Sequence, residues 1–157
     1  MADRQTLTRA LGAVVALAVS GAVVAVFVVR QDVDPPSKTY RVELREGAIV
    51  GPATVRDRRA NLRVVNTTEV AHQLQVVQVD GGHAAAELAS LEVWPAARFP
   101  SWATPVGGIA HLDPHTEATA HIDPGGGEYG FVCRLADPSG ATYGSSGMLQ
   151  AFSIKGR

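Results

Sequence analysis

The chain has 157 residues and a formal net charge of −1. It has no basic cluster after its N-terminal segment, which argues against nucleic acid as a partner, because neutralising phosphates requires grouped Lys and Arg side chains. Its length fits one domain with an appendage, and its single cysteine excludes an internal disulfide, so the thiol is either buried or reserved for chemistry.

The first predicted element is a transmembrane helix at residues 10–29, an apolar run long enough to cross the hydrocarbon core of a bilayer. Residues 1–9 carry two arginines and are predicted to stay in the cytoplasm, so the remainder lies in the periplasm or at the cell surface. A cleaved signal peptide is the alternative, since a small-residue pattern occurs at Ala16–Ala18. However, the apolar run continues well beyond that point, which favours a retained anchor.

Residues 30–37 are predicted to be an extended polar linker, because they contain two prolines and two aspartates. The predicted folded domain follows at residues 38–157. It consists mostly of short segments that alternate apolar and polar residues, separated by Gly, Pro and Asn turns. The predicted strands are Tyr40–Leu44, Asn61–Val65, His72–Val79, Glu117–Ile122, Gly127–Cys133 and Leu149–Ile154. This pattern predicts an all-β sandwich.

One region departs from the strand pattern. The alanine-rich segment His83–Leu91 predicts about two turns of helix. Three aromatic residues follow it between prolines: Trp94, Phe99 and Trp102. We expect this excursion to cover one end of the sandwich, with the aromatic side chains forming a satellite core; a docking patch is the alternative.

Three residues with metal-binding side chains stand out in the predicted strands. His72 shares a face with Leu74 by parity, so its imidazole is expected to point toward the core. The only cysteine, Cys133, ends a strand and shares a face with Phe131. Met148 directly precedes the last strand. An imidazole, a thiolate and a thioether brought together would suit copper.

From about Lys38 to Lys155 the chain resembles a cupredoxin domain. The segment Val65–Leu74, with an Asn turn followed by His72, resembles the family's first copper-binding histidine segment. The segment Glu128–Cys133 resembles its "Tyr, x, Phe, x, Cys" strand, and Gly147–Met148 resembles its axial-ligand segment. The resemblance implies a cupredoxin-like Greek-key β-sandwich. It also implies three of the four ligands of a type 1 copper site: His72, Cys133 and Met148.

The sequence departs from the family pattern at the fourth ligand. The family's second histidine lies between the cysteine and the methionine, whereas residues 134–147 contain no histidine. Tyr143 or Gly144 falls at its place, and a phenol is a poor ligand unless the metal deprotonates it. His111, predicted to lie in a loop, or His83 could reach the site. The alternation around residue 118 predicts that His115 and His121 face solvent.

The sequence therefore predicts a membrane-anchored, extracytoplasmic protein that binds copper for electron transfer or copper handling, beside a redox or metal-transport partner. Three ligands would favour Cu(I). The alternative is a metal-free interaction or assembly module that keeps the fold. No hydrolytic motif is present, so no enzymatic activity is predicted, although a nucleophilic pair of Cys133 and His72 is formally possible. A weak surface ion site is a further possibility, at His111, Asp113, His115 and Glu117.

Overall fold

The computed structural model describes residues 38–91 and 98–155, which belong to a compact unit that spans Asp34–Arg157. Within these residues, nine strands and one short 3₁₀ helix, at Ala85–Ser90, are found. The strands are β1 (Lys38–Arg45), β2 (Ala48–Val50), β3 (Thr54–Val55), β4 (Ala60–Asn66), β5 (His72–Val79), β6 (Ala103–Leu112), β7 (Glu117–Ile122), β8 (Gly127–Val132) and β9 (Leu149–Ile154).

The strands form two sheets with the orders β2-β1-β4-β7 and β3-β9-β8-β5-β6. The pairs β1–β4 and β3–β9 are parallel, and the other pairs are antiparallel. One apolar core lies between the sheets, because alternate residues of both point inward. Its members include Val42, Leu44, Leu62, Val64, Leu74, Val76, Phe131, Phe152 and Ile154.

The predicted all-β sandwich is thus confirmed, and β5, β7 and β9 have the predicted bounds. The predicted anchor at residues 10–29 and the linker at residues 30–37 lie outside the described residues. Within 38–91 and 98–155, no helix is both long and apolar enough to cross a membrane.

Strand β6 was not predicted, and the expectation that His111 lies in a loop was wrong, because His111 is the ninth residue of this strand. The pattern was hidden by Pro105 and by two consecutive glycines. Gly107 and Gly108 have φ angles of 157° and 138°, and the pairing of β5 with β6 is irregular nearby. A Cβ atom at Gly108 would lie 2.0 Å from the carbonyl oxygen of Leu74, so the close approach of the two strands requires glycine.

The described parts of the excursion between β5 and β6, residues 80–91 and 98–102, pack on part of the outer face of the five-stranded sheet. Its helical part has 3₁₀ geometry, and the Glu87 carboxylate accepts the backbone N–H of Ala84 at its start. A second cluster forms beneath it, including Val77, Val79, Leu88 and Val132, with Phe99 and Trp102 packed against its edge. These two aromatic residues form the predicted satellite core; Trp94 lies outside the described residues. Because apolar clusters lie on both faces of β5, its polar residues Gln73 and Gln75 are buried as well.

Candidate metal centre

His72 and Cys133 meet at one end of the sandwich. His72 opens β5, and Cys133 directly follows β8, the antiparallel neighbour of β5. The Sγ atom of Cys133 lies 3.8 Å from Nδ1 of His72. Cys133 is 0% exposed and His72 is 1% exposed. Residues separated by about sixty positions in the chain are therefore brought into side-chain contact by the pairing of two central strands.

Met148 lies beside Cys133 on the same face of the sheet. Val132 and Leu149 are opposite partners of β8 and β9, and the Cys133 N–H donates to the Met148 carbonyl at 3.2 Å. Opposite residues of an antiparallel pair share a face, with Cβ atoms about 4.5–5.5 Å apart. Both side chains belong to the main core cluster, and Met148 is fully buried.

The protonation states in this pocket follow from burial. Desolvation raises the pKa of the Cys133 thiol above its ordinary value, and the backbone N–H groups of Gln73 and Leu135 offset this only in part. Desolvation also lowers the pKa of His72. At neutral pH the centre therefore holds a thiol and a neutral imidazole, which carries a lone pair available to a metal.

Gln73 connects the two strands around the sulfur. Its backbone N–H donates to Sγ of Cys133 at 3.5 Å, and its side-chain Oε1 accepts the backbone N–H of Arg134 at 3.3 Å. The Arg134 side chain is fully buried, with its guanidinium 4.6 Å from the centroid of the Phe99 ring. In the sequence, Gln73 is only a polar residue on an alternating strand. Its contacts with Cys133 and Arg134 follow from the pairing of β5 with β8, which the sequence does not show.

Asn66 connects the loop that precedes His72 to the turn after β6. This residue is fully buried, and its Nδ2 donates to the carbonyl groups of Val70, Leu112 and Asp113 at 2.8, 3.1 and 3.0 Å. Its Oδ1 accepts both the backbone N–H and the hydroxyl of Thr68. One side chain thus holds two loops at the end of the sandwich that contains the centre. The sequence indicated only a turn here.

We expect Asn66→Ala to lower the free energy of unfolding by about 2–4 kcal/mol, because it leaves buried carbonyl groups without a donor. Chemical denaturation measures this. Asn61→Ala is the matched control, since Asn61 lies in the same strand and its side chain bonds the exposed His121, and it should cost less than about 1 kcal/mol. Equal losses in the two variants would show that Asn66 has no special role.

Tyr143 is one of the two residues that fall where the family pattern would place its second histidine. Its ring contacts the His72 imidazole edge-on, with centroids 4.7 Å apart and planes at 82°. Its backbone N–H donates to the Leu135 carbonyl, and its own carbonyl accepts the N–H of Met148 at 2.8 Å. The other candidate, Gly144, has no room for a side chain, since a Cβ atom there would lie 2.8 Å from Val132 and 3.1 Å from the Cys133 oxygen.

The other four histidines have exposed positions with partners of their own. His83 stacks on Trp102 and contacts Glu87, so it does not reach the centre. The remaining contacts are His111 with Asp113, His115 with Glu69, and His121 with Asn61. The prediction that His115 and His121 face solvent is confirmed. In the described part of the chain, no group of three or more His, Cys, Asp or Glu residues could hold a metal ion, including the predicted surface cluster.

A cavity of roughly 250 Å³ opens at this end of the domain, outside the buried donors. His72 and Tyr143 form part of its wall, so the cavity lies directly beside the imidazole. The remaining lining residues are Glu46, Gly47, Thr68, Glu69, Val70 and Pro138.

The spacing of the two nearest donors fits a shared metal ion. An imidazole nitrogen at about 2.0 Å and a thiolate sulfur at about 2.3 Å from one ion, with about 120° between them, lie about 3.7 Å apart. The observed separation of Sγ and Nδ1 is 3.8 Å. Thiolate and thioether are the soft ligands that Cu(I) prefers. The spacing of His72 and Cys133 therefore fits a shared copper ion.

Comparison with known proteins shows the fold. No protein-family model matches the sequence, and no curated protein does. Among solved structures, the chain is similar to reduced auracyanin from Roseiflexus castenholzii, with 19% identity over 76% of this chain and 97% of that one and a TM-score of 0.52. Rusticyanin from Thiobacillus ferrooxidans shows 12% identity, coverage of 77% and 79%, and a TM-score of 0.53. The described domain thus has a cupredoxin-like fold, as the motifs predicted.

Proposed function

We propose that this chain is a copper-binding protein that holds the ion through His72, Cys133 and Met148 and serves copper handling or electron transfer rather than catalysis. The observation that carries the proposal is the buried approach of Cys133 Sγ to His72 Nδ1 at 3.8 Å. Support also comes from the fold, since auracyanin and rusticyanin are blue copper cupredoxins.

The three donors differ in what they contribute. Cys133 supplies the anionic ligand after losing its proton, and His72 supplies a neutral nitrogen. Met148 adds a weak soft contact from the same face of the sheet. When bound, copper would supply a one-electron redox centre. A set with two sulfurs and one nitrogen favours Cu(I) over Cu(II), which supports copper holding or delivery over rapid electron transfer.

The proposed location rests on the sequence alone. Residues 10–29 would tether the domain to a membrane, with residues 1–9 in the cytoplasm and the domain in the periplasm or at the cell surface. The partner would then be a redox or metal-transport protein at the same membrane. Retention of the chain in carbonate-washed membranes tests the tether; release into the wash would contradict it.

The direct test is a titration of the full chain with Cu(I), in competition with a chromophoric Cu(I) chelator under reducing conditions. We expect one ion per chain, bound tightly enough to remove Cu(I) from the chelator. A parallel titration with Cu(II) should show weaker uptake and no intense visible band. Failure to bind either ion would overturn the proposal and leave the metal-free interaction module.

Copper affinity is expected to rise with pH. Burial raises the pKa of Cys133 and lowers that of His72, so between about pH 6.5 and 8.5 the free protein carries a thiol and a neutral imidazole. Binding then releases one proton, from Cys133, and the apparent affinity should rise about tenfold for each pH unit. Chelator competition across this range measures the slope. An affinity independent of pH would show that no thiol is deprotonated on binding.

A further inference from the structure

The geometry points to Tyr143 as the residue that sets the metal specificity of this centre, by excluding the fourth ligand that divalent ions need. This inference rests on the proposed function and adds the ion that the site selects, a monovalent soft cation. Tyr143 acts through the space its ring occupies beside His72, and it is therefore a positioning residue and not a ligand.

The first step is the burial of His72. His72 is 1% exposed, although it lines a cavity of roughly 250 Å³ that is open to solvent. Such a cavity is large enough for several water molecules, whose share of liquid volume is about 30 Å³ each. The ring of Tyr143 lies edge-on against the imidazole, 4.7 Å between centroids, and lines the same cavity. We infer that the aromatic ring keeps this water from the donors.

The second step is the rigidity of the loop that carries the ring. The Asp137 carboxylate accepts hydrogen bonds from the backbone of Ser139 and the hydroxyl of Ser146. The backbone of Gly144 donates to the Cys133 carbonyl at 2.7 Å, and Met148 donates to the Tyr143 carbonyl. These bonds connect the loop directly to two of the proposed ligands, so the ring cannot move away without disturbing the strand ends that hold the donors.

The third step is the coordination that each ion requires. Zn(II) binds four ligands in nearly all structural sites, and in catalytic sites water supplies the fourth after three protein ligands. Here the protein offers three donors, and none of the other histidines approaches. With water excluded as well, a divalent ion would remain short of one ligand. Cu(I) is selected by thiolate and thioether donors, which this centre provides.

The test compares Tyr143→Ala with Tyr143→Phe in the full chain, with Cu(I) and Zn(II) as the probes. The alanine variant opens a path for water, so its Zn(II) affinity should rise by at least about tenfold while its Cu(I) affinity stays within about threefold of the unsubstituted chain. The phenylalanine variant keeps the ring and removes only the phenol. Its ratio of Cu(I) to Zn(II) affinity should therefore be unchanged.

Thermal melts control for folding, and Tyr143→Val provides a smaller cavity if the alanine variant is unstable. An unchanged affinity ratio in both the alanine and valine variants, with Cu(I) binding intact, would overturn the role of Tyr143 but not the proposed function. A rise in Zn(II) affinity in the phenylalanine variant as large as that in alanine would show that the ring alone does not exclude water and would overturn the exclusion argument. A fall in Zn(II) affinity in both variants would instead identify the phenol as a ligand and overturn it as well. If the unsubstituted chain takes up no Cu(I), the proposed function itself fails, and this inference fails with it.

Discussion

Cys133→Ser is expected to lower the affinity of the chain for Cu(I) by about 10²- to 10⁴-fold. Structural zinc sites bind with about 10–16 kcal/mol at neutral pH, and on that scale the loss of one ligand in three would remove about 3–5 kcal/mol. A serine hydroxyl is a hard donor that does not ionise near neutral pH, so it cannot replace the thiolate. Competition with a Cu(I) chelator at fixed pH measures the change.

Two controls separate this loss from misfolding. The buried Cys133 accepts the backbone N–H of Gln73, a role that a serine oxygen can keep, so the thermal midpoint should fall only modestly. His121→Ala removes an exposed imidazole of β7 that hydrogen-bonds to Asn61. This variant should leave copper affinity unchanged. If Cys133→Ser binds Cu(I) as tightly as the unsubstituted chain, the sulfur is not a ligand, and the hypothesis of a centre at His72 and Cys133 is wrong.

Tyr143→His is expected to create a Cu(II) site with an intense visible absorption band. A blue copper centre needs two imidazoles and one thiolate in a trigonal arrangement, with a weak axial thioether. The chain already offers one imidazole, the thiol and the methionine, and residue 143 places a ring 4.7 Å from the imidazole of His72. One added nitrogen ligand should raise Cu(II) affinity by about 10²-fold or more, by the same reckoning of about 3 kcal/mol for each ligand.

The band in this variant has a defined origin, which a second substitution tests. Because the absorption arises from charge transfer between thiolate and Cu(II), the double variant Tyr143→His with Cys133→Ser should be colourless. Tyr143→Phe should be colourless as well, since it adds no nitrogen. A folded Tyr143→His variant that binds Cu(II) without the band would show that residue 143 does not point toward the sulfur.

Strands with a clear alternation of apolar and polar residues could be read from the sequence, whereas β6 could not. Strands β5, β7 and β9 alternate apolar and polar residues over most of their length, which is typical of a strand with one face toward a core. Strand β6 contains Pro105 and a Gly-Gly pair, so its strand character depends on pairing with β5. Gln73 and Gln75 are the polar positions of the β5 alternation and are nevertheless buried, because a local pattern does not record what packs against the outer face of a sheet.

The sequence by itself determined which candidate donors the chain offers: one thiol, a histidine on a core face, and a methionine before the last strand, with no histidine between the cysteine and the methionine. These are matters of composition, parity and order along the chain. The grouping of these donors as one ligand set came from the resemblance to cupredoxins. Only the tertiary structure decided that His72 and Cys133 lie 3.8 Å apart, that Tyr143 rather than Gly144 contacts the imidazole, and that Asn66 holds the surrounding loops. The reason is physical: such contacts join residues remote in sequence, and strand register across a sandwich, not local propensity, brings them together.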